Sequence, residues 1–268
     1  MQKIALILEY DGSQFHGWQK QGTLRTVQLC LEQALTKVAA QPITTICAGR
    51  TDAGVHAFNQ VVHFETEVIR PEKAWCHGTN TFLPADIRIH EAKKISLNFH
   101  ARFSAKARRY QYVIINQGIR PAIFRSYVCW EARPLDIAPM NEAAHDLLGE
   151  LDFSSFRAAE CQARTPFRRI DHLLVSRHAN YVVIDIKANA FLHHMVRNIA
   201  GVLLAIGTGE RSPQWTKAVL AAKDRCAAGV TSPAGGLYLV EVDYPEQYEI
   251  VKFTDFISSP MCFLRGEG

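Results

Sequence analysis

Two hydrophobic periods follow one another along this chain in no regular order, and that irregularity limits its fold more than anything else. Near-alternating or continuously apolar stretches predict strands at Lys3–Tyr10, Thr45–Ala48, Gln60–Glu65, Ile87–Ile95, Arg108–Ile115, Ile170–Val175, Tyr181–Lys187 and Leu237–Val242. Apolar residues at three- and four-residue steps predict a helix over Thr26–Ala39, through Val27, Leu31, Leu35 and Val38. A second helix is predicted over Leu192–Ile206, through Val196, Ile199, Leu203 and Ile206. Shorter helices are expected at Pro71–Leu83, at Met140–Leu148 with Gly149 to end it, and from a Ser212-Pro213 cap to Ala222. Strands 170–175 and 181–187 are close enough to form a hairpin across Arg177–Asn180. A doubly wound sheet needs strand and helix in steady alternation, so this order predicts an α+β fold with substantial antiparallel sheet. The 268 residues divide into two similar halves, 1–100 and 101–245, with a break near 98–105. A tail, 246–268, has weak periodicity and is expected to be poorly ordered.

Composition excludes several classes. With 48% hydrophobic residues the chain is not intrinsically disordered. It lacks the ~18 consecutive apolar residues of a membrane span. Glu9 interrupts the apolar start MQKIALILEY before a signal peptide's core develops, so a soluble, cytoplasmic protein is expected. Seven scattered cysteines without a C-x-x-C pair argue against a disulfide framework and against a thiolate zinc site. His193 and His194 are neighbours that would point about 100° apart on a helix, and H-E-x-x-H is absent, so no metal is expected.

Charge is informative in its distribution. The net charge is only +4, yet no carboxylate occurs between Glu91 and Glu131. That window holds Lys93, Lys94, Arg102, Lys106, Arg108, Arg109, Arg120 and Arg125, interleaved with Phe99, Phe103, Tyr110, Tyr112, Phe124, Tyr127 and Trp130. Cations that track phosphates beside aromatics that stack on bases suit a nucleic-acid surface. A solvated basic face around core aromatics would read the same way. A second basic cluster comprises Arg157, Arg164, Arg168 and Arg169.

Three segments carry candidate chemistry. In GRTDAGVHA, Asp52 sits between Gly49 and Gly54 in a short loop between two predicted strands, with Arg50 beside it. Such a carboxylate is either an ordinary turn residue or a presented nucleophile or base. In ANAFLHHMVRNIAG, Arg197 enters a mostly apolar helix, where it is either an exposed flank residue or the partner of a carboxylate. In KARRYQY, Tyr110 belongs to the core or offers its ring to a base.

Together with GGLYLVEV, the opening EYDG-x-x-F-x-GWQ, DFSSFR and RTPFR, these motifs resemble the tRNA pseudouridine synthase A (TruA) family, in family order over about residues 3–245. The resemblance implies the pseudouridine synthase fold: two topologically related α+β halves whose mixed, largely antiparallel sheets join across a central basic cleft. It implies isomerisation of uridine to pseudouridine at positions 38, 39 and 40 of the tRNA anticodon stem-loop, by an enzyme acting as a homodimer without cofactor or metal. By the same motifs the essential aspartate falls on Asp52. It would attack the ribose C1′ or the uracil C6, or act as the base that forms a glycal. Arg197 would pair with it, Tyr110 would stack on the flipped uracil, Arg50 would enter the vacated space, and Leu237 would line the pocket. Arg108 and Arg109 would belong to the RNA-binding surface. Two other readings use the same surface: an RNA chaperone, which has no need of Asp52 with Arg197, and a nucleoside hydrolase, which needs a second positioned acid or a metal.

Overall fold

The computed structural model describes residues 1–251, so the tail expectation lies outside the described residues from residue 252 onward. The described chain forms two compact units, Met1–Lys106 with the chain from Tyr238 onward, and Ala107–Leu237.

The first unit is built on β1 (Gln2–Tyr10), β2 (Ile46–Cys47), β3 (His56–Thr66), β4 (Ile87–Ile95) and β10 (Leu237–Asp243). β1 lies between β4 and β3, antiparallel to both; β2 pairs antiparallel with β3. β10 joins β3 in parallel, Tyr238 opposite His56 and Leu239 opposite Ala57. The run IALIL in β1 is apolar without alternation because this strand is buried on both faces. α1 (Val27–Ala39) starts where Thr26 caps the Leu29 amide, and it buries Val27, Leu31, Ala34 and Leu35. The short helix expected after Pro71 is present, with a π-helical turn at Ala74–Gly78.

A buried polar network fixes α1 to the strand entering the GRTDAG loop. The Gln28 amide donates to Glu32 Oε1 (3.0 Å) and to the Thr45 carbonyl (3.1 Å), while the Thr45 amide donates to Glu32 Oε1 at 2.9 Å. Each of these groups would cost free energy if buried alone, and together they are satisfied.

In the second unit, β5 (Ala107–Asn116), β9 (Tyr181–Ala188), β8 (Phe167–His178) and β7 (Gly149–Asp152) lie side by side, all antiparallel, and β6 (Cys129–Glu131) runs parallel to β5. α2 (Ile137–His145) packs on α3 (Met195–Gly207) and on β8, and α4 (Trp215–Ala222) packs beside the turn Ser154–Phe156. The apolar stripe expected for α3 is buried throughout.

Several boundaries differ from expectation for local reasons. α2 starts at Ile137, because Asp136 caps the Ala138 amide and Pro139 is tolerated in the first turn; Gly149, at φ +89°, opens β7 rather than ending the helix. The hairpin turn is the pair Ala179-Asn180. Ser212 and Pro213 form a turn ahead of α4 instead of its cap. His194 adopts φ +62°, so α3 begins after the two histidines. They are therefore not spread around a helix, and their rings lie 4.0 Å apart. Among the described residues no cysteine is in a disulfide, and no helix is long and apolar enough to cross a membrane.

Candidate active site

The Asp52 loop runs between β2 and β3 and is held from below by buried groups of the first unit. The Ala48 amide donates to the Val61 carbonyl at 2.8 Å. Gln60, fully buried in β3, donates to the Gly49 carbonyl at 2.6 Å. Tyr10 and Thr51 share a hydrogen bond at 2.7 Å between their hydroxyls. The Val55 amide donates to the Asp52 carbonyl at 3.2 Å, closing a tight turn in which Gly54 takes φ +80°.

The EYDG-x-x-F-x-GWQ segment completes this support. The Trp18 amide donates to the Thr51 carbonyl at 3.0 Å, and the Gly54 amide donates to the Phe15 carbonyl at 3.4 Å. A Cβ at Gly12 would lie 1.9 Å from the Val55 carbonyl oxygen. One at Gly17, already at φ +81°, would lie 2.8 Å from the Thr51 carbonyl oxygen. Both glycines are thus required by backbone packed against the Asp52 loop, which explains physically why the two motifs occur together. The Gly12 amide also donates to His56 Nδ1 at 3.1 Å, and the His56 ring stacks on Tyr238 at 4.8 Å. Asp52 itself is half-buried and Arg50 is exposed.

Strand alternation sorts the KARRYQY residues in the second unit. Arg108 and Tyr110 share one face of β5 and reach the chain just after β9. Arg108 Nη1 donates to the Asn189 carbonyl at 3.1 Å, and the Tyr110 ring meets Phe191 edge-on at 5.1 Å. Arg109 faces the other way and clamps Asp185, Nε to Oδ1 at 2.7 Å and Nη2 to Oδ2 at 2.5 Å, with Gln111 adding a bond at 2.9 Å. Arg108 is buried and Arg109 is held by a carboxylate, so both have evident roles in the fold.

Arg197 lies in the first turn of α3, where its Nε donates to the Ser232 carbonyl at 2.9 Å and its own carbonyl accepts from the Ser232 amide at 3.2 Å. A cation at a helix N-terminus opposes the helix dipole, so this position favours an added anion. The rest of the motif secures the turn. Asn198, fully buried, donates to the Phe156 carbonyl at 2.8 Å and accepts from the Thr231 hydroxyl at 2.7 Å. At Gly201 a Cβ would lie 2.0 Å from the Val230 carbonyl oxygen. Leu237 is buried, and the glycines before it are packed as tightly: a Cβ at Gly236 would come 2.7 Å from the Val113 carbonyl oxygen.

In DFSSFR, Asp152 accepts from the Ser154 amide and hydroxyl, at 3.0 and 2.6 Å, which holds its carboxyl below the usual range. Arg157 donates to the carbonyls of Cys161 and Ala163. These motif residues serve turns. Of the supports of the Asp52 loop, Thr51 stands out in the sequence as a local hydrogen-bonding residue, whereas Tyr10, Gly12, Gly17 and Gln60 do not. For Gly12 and Gly17, the signal lay in the repeated glycines of the opening motif.

A family model described as tRNA pseudouridine synthase matches residues 6–104 and 143–245. A tRNA pseudouridine synthase A of Pectobacterium atrosepticum is 56% identical over 248 residues, covering 92% of this chain and 88% of that protein. The Legionella pneumophila protein of the same name is 55% identical over 250 residues, covering 93% and 95%. Among solved structures, one titled Crystal Structure of a Cbf5-Nop10-Gar1 Complex aligns at a TM-score of 0.39 and 9% identity, over 97% of this chain and 65% of that one, too remote to inform the site. The matched segments cover most of its length and contain Asp52, Arg197 and Leu237, with KARRYQY falling between them, and on this match and these relatives the chain belongs to the tRNA pseudouridine synthase family.

Proposed function

We propose the following roles in an enzyme that isomerises uridine to pseudouridine in the anticodon stem-loop of tRNA, at positions 38, 39 and 40. Asp52 is the reacting carboxylate. The observation that carries this reading is the density of support under its loop, where two glycine contacts and a buried Tyr10–Thr51–Gln60 network fix the backbone on both sides of one half-buried acid. A turn residue with no task needs no such fixation, whereas a reacting group gains most of its rate from being held in place.

The N1–C1′ bond of the target uridine breaks, the uracil turns, and a C5–C1′ bond forms as the C5 proton leaves and N1 takes one up. The target nucleotide must leave its stack, at a cost of a few kcal/mol, which contacts along the RNA backbone offset. Arg197 is the cation that the resemblance assigns to the Asp52 carboxylate, and the start of α3 is electrostatically suited to an anion. Tyr110 offers its ring to the uracil, Arg50 enters the space the base vacates, and Leu237 lines the pocket. The reading extends to a homodimer working in the cytoplasm, without cofactor or metal.

The test is release of tritium from tRNA labelled at uracil C5, with no metal or nucleotide added. Release accompanied by pseudouridine still attached to its ribose supports the isomerase. Free uracil would point to a hydrolase, and tRNA binding without release would point to a chaperone.

A further inference from the structure

The loop between β5 and β6 is the part of the basic window that the proposed roles leave unused. Arg120 and Arg125 are exposed, and neither makes a hydrogen bond or ion pair among the described residues. They line an open cavity of about 530 Å³ with Pro121, Ala122 and Ser126. Beside them Ile123 and Phe124 are 74% and 58% exposed, an amount of apolar surface that costs free energy unless a partner covers it. Phe124 also holds φ +65°, a left-handed backbone that a bulky L-residue adopts at a cost of about 1–2 kcal/mol. The turn is closed by the Tyr127 amide donating to the Phe124 carbonyl at 2.8 Å.

The base of this loop is seated on a functional segment. A Cβ at Gly235 would lie 2.5 Å from the Ser126 carbonyl oxygen, so the loop's backbone packs directly on the Gly235-Gly236 pair that leads into Leu237. Its charges therefore stand on the element carrying a residue assigned to the uracil pocket. We propose that Arg120 and Arg125 hold two phosphates of the tRNA strand flanking the target uridine, with Phe124 stacking on a neighbouring unpaired base. Planar guanidinium forks suit phosphate oxygens, and an exposed aromatic beside cations is a platform for a base. RNA is favoured over a second copy of the chain because two open cations stand in a stretch of 39 residues between Glu91 and Glu131 that contains no carboxylate. This site rests on the reading of tRNA as substrate.

The experiment compares full-length wild type, an Arg120→Gln/Arg125→Gln double variant and Phe124→Gly in filter binding of a tRNA transcript, between about 50 and 200 mM KCl. The double variant should bind more weakly, and its log–log salt slope should fall by about two units. Phe124→Gly should weaken binding about five-fold or more with an unchanged slope, since it removes stacking without removing charge. An unchanged slope in the double variant overturns the proposal. So does loss of self-association by light scattering with the wild-type slope retained, which would make the loop an interface between copies. Wild type that binds tRNA but releases no tritium contradicts the functional reading alone, and the salt slopes still decide this site. Wild type that binds no tRNA overturns both.

Discussion

Replacing Gly12 by Ala adds one methyl group in a place that does not touch substrate in any of the proposed roles. Gly12 does not have a positive φ, so Ala is compatible with its backbone and only the steric contact matters. The added Cβ would start 1.9 Å from the Val55 carbonyl oxygen, and real Cβ contacts stay beyond 3.0 Å. The two backbones must therefore separate by about 1 Å, the difference between those distances. Val55 is bonded through its amide to the Asp52 carbonyl, so the displacement passes into the reacting residue's own turn. A misplacement of ~1 Å costs on the order of 100-fold in rate. Crowding of this kind should also lower stability by about 1–3 kcal/mol. The assay is single-turnover tritium release from C5-labelled tRNA, paired with tRNA binding and a urea melt. The expected pattern is a rate loss near two orders of magnitude with tRNA affinity within a few-fold of wild type. Gly78→Ala is the control, because its Cβ would meet only Val38 at 3.6 Å. A Gly12→Ala enzyme with the wild-type rate would refute the claim that this contact positions Asp52.

Three further outcomes follow from buried groups. Burial first, then the neighbouring His100 and Lys3 charges, lowers His63 from 6.5 to about 4, with Glu65 opposing. The unfolded chain takes up this proton below pH 6.5 while the folded one resists it to about 4, so stability is full above 6.5 and falls as pH drops through that window. Between pH 7 and 5 the loss is worth up to about 2 kcal/mol, read by urea melts at the two pH values with the loss reduced in His63→Asn; a flat profile would contradict it. Asn198→Ala should cost about 1–3 kcal/mol in urea unfolding, because it strands the buried Phe156 carbonyl and removes the acceptor of the half-buried Thr231 hydroxyl; a loss under about 0.5 would show that water replaces the amide. Arg109→Ala should destabilise by about 2 kcal/mol, since Asp185 is left mostly buried, while the salt dependence of tRNA binding stays unchanged; a slope lower by about one unit would return Arg109 to the RNA surface.

Elements with their own local signal were legible in the sequence. β1, β4 and β5 are long apolar or alternating runs, and α1 carries both its stripe and its Thr26 cap. β6 and β7 are three and four residues long and exist only because β5 and β8 offer edges to pair with, so no local pattern marks them. The start of α3 was misplaced because His194 takes a left-handed conformation, which the apolar periodicity does not mark. Within the candidate site, motif resemblance pointed to Asp52, Tyr110 and Arg197. The function of Gly12 and Gly17 depended on which backbone crosses them, and that is a tertiary fact. The same limit applied to Arg108 and Arg109, for which composition left an RNA surface and a solvated basic face equally open. Strand alternation puts them on opposite faces of β5, and long-range partners, Asn189 and Asp185, occupy each.

The central claim is that one carboxylate carries the chemistry, and Asp52→Asn tests it most directly because the amide keeps the side chain's size while removing its charge. Tritium release from C5-labelled tRNA should be abolished in Asp52→Asn and present in wild type, with both proteins binding the tRNA within a few-fold of each other. Release by Asp52→Asn at the wild-type rate would contradict the account.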